Sequence, residues 1–80
     1  MIDTMTHKSI SVSVDGDSGP YIMVPIDQLA QLRELLGLNE IAHWVEGDAI
    51  SLDGRPAVAV INLGLRGDPV QVQAILDQVG

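Results

Sequence analysis

Eighty residues are enough for one small domain and no more. Eleven Asp and Glu against four Lys and Arg give a formal net charge of -7, and there is no cysteine. These counts exclude a disulfide scaffold, a cysteine nucleophile and a cysteine-ligated zinc site, and an acidic chain is repelled by phosphate backbones and anionic membranes alike.

Residues 1–7 (Met-Ile-Asp-Thr-Met-Thr-His) carry no periodicity and read as a flexible terminus, leaving residues 8–80 as a single domain. From Lys8 the pattern alternates: Ile10, Val12 and Val14 share one side, Ser9, Ser11 and Ser13 the other. Period two with a serine face predicts a strand with one side buried and one wet. Asp15-Gly16-Asp17-Ser18-Gly19-Pro20 is a dense turn signal, and Tyr21–Val24 predicts a second strand paired with the first.

Pro25 and Asp27 suit the start of a helix. Ile26, Leu29, Leu32, Leu35 and Leu36 recur at helical spacing to form its apolar stripe, with Gln28, Gln31, Arg33 and Glu34 on the outer face. Gly37 is the expected terminator. Residues 41–46 and 49–52 read as short strands separated by Gly47-Asp48. Asp53-Gly54 predicts a two-residue hairpin. The returning segment 57–63 is apolar on both faces, as in a strand inside a sheet. Asp68, Pro69 and Gln71 fit the N-cap, N1 and N3 positions of a last helix, whose buried stripe is Val72, Ile75, Leu76 and Val79.

The order ββα-ββ(β)-α predicts an α+β two-layer sandwich: an antiparallel or mixed sheet of four to five short strands with two helices on one face. A domain of this size buries only about 60% of the surface its unfolded chain exposes. With no disulfide or metal to help, self-association is the expected supplement, in the form of a homodimer. No apolar run approaches the roughly 20 residues of a membrane-spanning helix, and the start lacks the marks of a signal peptide, so the cytoplasm is the expected compartment.

The candidate sites are few. Gly16-Asp17-Ser18-Gly19-Pro20 is similar to the segment around the nucleophile of trypsin-like proteases over five residues, but lacks one glycine and has no accompanying histidine motif. Asp15 and Asp17 match the first and third positions of an EF-hand loop, but Gly19 at the fifth and Ile26 at the twelfth exclude one. Gly64, Arg66 and Gly67 precede a helix N-terminus and form a weak anion-binding candidate, with Asp68 standing where the anion would lie. His7 and His43 have no metal-ligand spacing, so no metal or cofactor is expected.

His43 and Trp44 are adjacent on a strand, so they face opposite ways and cannot both be buried. The outward one lies near Glu46 and Asp48, in a stretch from Glu40 to Asp53 that holds four acids and no Lys or Arg. Two settings stay open: Trp44 as a core residue, or Trp44 as an exposed anchor for a basic partner. His43 with Glu46 or Asp48 would make a base and its orienter, but no nucleophile, metal or cofactor signal accompanies them, and an enzyme is not expected. The expectation is a small acidic protein-interaction module using His43, Trp44, Glu46 and Asp48, as in inhibitors, antitoxins or immunity-type proteins. The alternative is a small-ligand-sensing regulatory domain acting as a homo-oligomer, with its site near His43, Trp44 and the 64–68 loop.

Overall fold

Alternation along Tyr21–Pro25 separates the two faces of the sheet: Ile22 and Val24 are fully buried, and Met23 between them is half exposed. The computed structural model describes residues 1–15, 17, 19–50 and 57–79, with the backbone alone for 47–50. Its elements are β1 (Val12–Ser13), β2 (Tyr21–Pro25), a 3-10 turn (Ile26–Gln28), α1 (Leu29–Leu38), β3 (Trp44–Ile50), β4 (Val58–Asn62) and α2 (Pro69–Gln78). The strands form one antiparallel sheet in the order β1-β2-β4-β3, which gives the α+β class. Because β2 and β3 both run antiparallel to β4, they are parallel to each other with β4 inserted between them, a split β-α-β arrangement.

Register determines which side chains meet. Val12, Ile22, Ile61 and Val45 form one row across all four strands, and Val24 faces Ala59 in the next. These residues join Leu32 and Leu36 of α1 and Val72 and Leu76 of α2 in a single hydrophobic cluster. Both helical pairs are four residues apart and therefore on one side of their helix. Fully burying a Leu or Ile of this kind stabilises by roughly 1.5–3 kcal/mol.

Several expectations are corrected. Residues 1–7 make contacts that the lack of periodicity does not suggest: Met1 is buried, Ile2 bridges Ser9, and Asp3 N–H donates to the Lys8 carbonyl at 2.8 Å. Gln28, expected on the outer face of the helix, is buried because its amide serves this segment, donating to the Ile2 carbonyl (2.7 Å) and accepting from Thr4 N–H (2.9 Å). A composition-based reading misses this, since part of the ordering comes from groups far along the chain, the Gln28 amide and the Leu76 carbonyl that accepts from the Met1 amine. Within 8–14 only Val12–Ser13 pairs as strand, and Val14 is exposed. Residues 41–46 and 49–52 are not two strands: β3 runs from Trp44 through the Gly47-Asp48 break to Ile50, which appears as a register irregularity between Glu46 and Ile50. The Asp53-Gly54 hairpin, and Gly16 and Ser18 of the protease-like segment, lie outside the described residues.

Gly37 does not end α1. The helix continues to Leu38, and the left-handed position is taken by Glu40 at φ 58°. Glu40 N–H donates to the Gly37 carbonyl at 3.1 Å and Ile41 N–H to the Leu36 carbonyl at 2.9 Å, the paired bonds of a Schellman motif. Asn39 adds a side-chain bond to the Leu35 carbonyl at 2.9 Å. At the other helix Asp68 caps as expected, accepting from Val70 N–H (3.0 Å) and Gln71 N–H (3.1 Å), with Pro69 at the first position.

Candidate functional site

The face of the sheet turned away from the core is assembled by the same register. Ser13, Tyr21, Asn62 and Trp44 form one row across the strands, and Met23, Val60 and Glu46 form the next. Trp44 is 51% exposed and Met23 is 51% exposed, so the aromatic is an outward residue and not part of the core. Of the two settings open to Trp44, the structure has the surface one.

Local contacts hold these groups in place. The Trp44 ring lies over Gly64: a Cβ added there would sit 3.4 Å from Trp44 Cζ3. A bare backbone at this position therefore gives the indole a flat seat. Asn62, flanked in its row by Tyr21 and Trp44, is only 3% exposed, and its amide donates to Glu46 Oε2. A buried amide thus orients an exposed carboxylate. Tyr21 Oη donates to Asp15 Oδ1 at 2.7 Å, and this bond is the main reason the phenol's pKa is raised above its ordinary 10.0. Burial and the Asp15 charge raise it further, against a smaller opposing bond with Ser13. The face therefore presents an indole, a methionine and two positioned carboxylates.

His43 stands apart from this arrangement. It precedes β3, and its Nδ1 donates to the Ile41 carbonyl at 2.8 Å. The carboxylate of Glu46 is bonded to Asn62 instead, so the base-and-orienter pair is not brought together among the described residues. The side chain of Asp48 lies outside the described residues.

The 64–67 loop does not present free helix amides to an anion. The Asp68 carboxylate takes Val70 N–H and Gln71 N–H, and Gly67 N–H donates to the Gly64 carbonyl at 3.0 Å. What Gly64 and Arg66 do line, with Asp17, Trp44, Leu63 and Leu65, is an open depression of about 550 Å³ beside the indole. Sequence reasoning missed Tyr21, Met23 and Asn62 as members of this face. Their period-two spacing is visible in the chain, but the placement of β4 beside β2, which brings Asn62 next to Tyr21, is not.

Among the described residues no cluster of three or more His, Cys, Asp or Glu has metal-binding geometry, and no helix is long and apolar enough to cross a membrane. The chain matches no protein-family model, no curated protein and no solved structure.

Proposed function

We propose that this chain is a protein-binding module of the inhibitor, antitoxin or immunity type, presenting the open sheet face to a basic partner in the cytoplasm. The observation that carries the reading is Trp44, half exposed on a sheet face that the helices leave uncovered and seated beside the oriented carboxylate of Glu46. Exposed aromatics flanked by fixed polar groups are the usual energetic centres of protein interfaces. The net charge of -7 adds long-range attraction for a cationic surface and supplies on-rate as much as affinity.

The test is capture of partners from a lysate of the native host by the wild-type chain and by a folded Trp44→Ala, Glu46→Lys variant. A stoichiometric partner that the variant loses supports the reading, and its affinity should fall as salt rises. A partner retained by the variant removes this face from the function.

A second reading has its own observation. The depression beside Trp44 joins an aromatic wall to the side chains of Arg66 and Asp17, a setting suited to a small polar ligand carrying both charges and held by a regulatory homo-oligomer. A metabolite that raises the melting temperature of the wild type but not of Arg66→Ala would favour it. No shift with any metabolite at saturating concentration would remove it.

A further inference from the structure

The two edges of the sheet are not alike. At β1 the outer backbone is occupied from within: Val12 N–H donates to Gln73 Oε1 at 2.8 Å, and Gln73 Nε2 donates to the Ile10 carbonyl at 3.2 Å. One side-chain amide offers a donor and an acceptor as a neighbouring strand would. Asp77 holds that amide in turn, at 3.0 Å from Nε2. This edge is closed by α2.

The edge at β3 is different. Leu63 N–H donates to the Pro20 carbonyl at 3.0 Å and Ile26 N–H to the Ala57 carbonyl at 2.9 Å. In an antiparallel ladder the bonding direction alternates by residue, so 57, 59, 61 and 63 bond toward β2, and 58, 60 and 62 toward β3. Trp44 and Glu46, opposite Asn62 and Val60, consequently spend their backbone groups on β4. The N–H and C=O of Val45 point the other way, off the sheet. Among the described residues no strand lies beyond β3, which at seven residues is longer than any other strand here. Long open edges are templates for another chain.

We infer that an extended basic segment of a partner protein adds to the sheet along β3 at Trp44–Glu46, laying Lys or Arg side chains over the indole and beside the Glu46 carboxylate. This deepens the protein-binding reading and rests on it. Side chains directly opposite on neighbouring strands have Cβ atoms about 4.5–5.5 Å apart, so a residue opposite Trp44 or Glu46 points to the same open face and within reach. There it finds an aromatic ring, favourable for a guanidinium, next to a carboxylate that Asn62 has already positioned. Charge favours the occupant: a basic segment is attracted to a chain of net charge -7, whereas a second copy brings the same charge. Backbone pairing supplies part of the affinity and the face supplies the selection, as in other strand-addition complexes.

The probe is the capped peptide Arg-Val-Arg-Val-Arg-Val-Arg, titrated against the intact chain. Binding is followed by the fluorescence of the single tryptophan and by hydrogen exchange of the Val45 amide. Saturable binding with slowed exchange at Val45 is expected, together with about tenfold loss when one alternate set of nitrogens, valine or arginine, is methylated and little loss when the other is, and a similar tenfold loss for Glu46→Lys. Equal binding by both methylated peptides, or unchanged exchange at Val45, overturns the inference by showing adhesion through charge alone. No binding, or dimerisation of the chain in place of binding, also overturns it. Val45→Pro removes the outward N–H at an edge position where proline is tolerated, and it should lose the peptide. If that variant fails to fold, the methylated peptides still decide. A natural partner lost from Trp44→Ala but held equally by folded Val45→Pro would retain the interaction face and overturn the strand addition.

Discussion

Gly19 and Gly64 touch backbone to backbone: a Cβ on Gly19 would lie 2.6 Å from the Gly64 carbonyl oxygen. Both have positive φ, +100° and +78°, so each is glycine for conformation as well as for space. The contact joins the turn before β2 to the loop after β4, and it sets the floor on which Trp44 rests.

Alanine at these two positions should therefore act differently. Gly64→Ala meets only the edge of the indole and a strained φ, and should cost about 1–2 kcal/mol. Gly19→Ala adds a collision with backbone that cannot rotate away, and should cost about 1–3 kcal/mol more. Urea titration of both variants checks the order. Equal losses would mean that the two loops separate at little cost.

At the end of α1, Glu40 occupies the left-handed position that glycine prefers. Glu40→Gly should stabilise the domain by about 1 kcal/mol, seen as a higher urea midpoint with unchanged slope. Glu40→Ala leaves the strained φ in place and should give no comparable gain.

This helix end also shows what the chain made legible. The apolar stripe of α1 was plain from Leu32 and Leu36, because helical spacing is a local property. Its terminus is not legible, because Gly37 stays helical when Asn39 and the Schellman bonds satisfy the carbonyls one turn later. The α2 cap was legible because Asp68-Pro69 carries its chemistry within consecutive residues. The roles of Gln28 and Gln73 were not, since each amide serves backbone far away in sequence. The candidate face is half legible: the chain points to Trp44 as a residue at its edge, but that β3 begins at Trp44, leaving His43 before it, and that Trp44 turns outward depend on the pairing of β3 with β4.

Gln73 tests the closed edge. Gln73→Ala removes a bond to Val12 and a bond to Ile10 and should cost about 1–3 kcal/mol. Hydrogen exchange at the Val12 amide should accelerate.

Tyr21 reports on Asp15. The phenol should titrate above 10.0 when followed by ultraviolet absorbance, and Asp15→Asn should bring it down toward that value. With the folded pKa raised, the stabilising contribution of this bond is complete below the ordinary pKa and disappears as pH rises through the folded one. Stability should consequently fall more steeply in the wild type than in Asp15→Asn above pH 10.0.

Trp44 and Leu36 separate surface from core. Leu36 is fully buried, and Leu36→Ala should cost about 2–5 kcal/mol. Trp44→Ala, at a half-exposed site, should cost about 1 kcal/mol or less while abolishing partner binding. A loss as large as that of Leu36→Ala would make the indole a structural residue.

The strand that completes the sheet follows both of the strands it joins. Until β4 emerges during synthesis, β2 and β3 have no inner neighbour, and the row of Ile22 and Val45 has no Ile61 to join it. The core row across β2 and β3 therefore closes only when β4 joins it. For the same reason, removing β4 and α2 would not shorten this domain but dissolve it, leaving the β1–β2 pair and β3 to await the same missing partner.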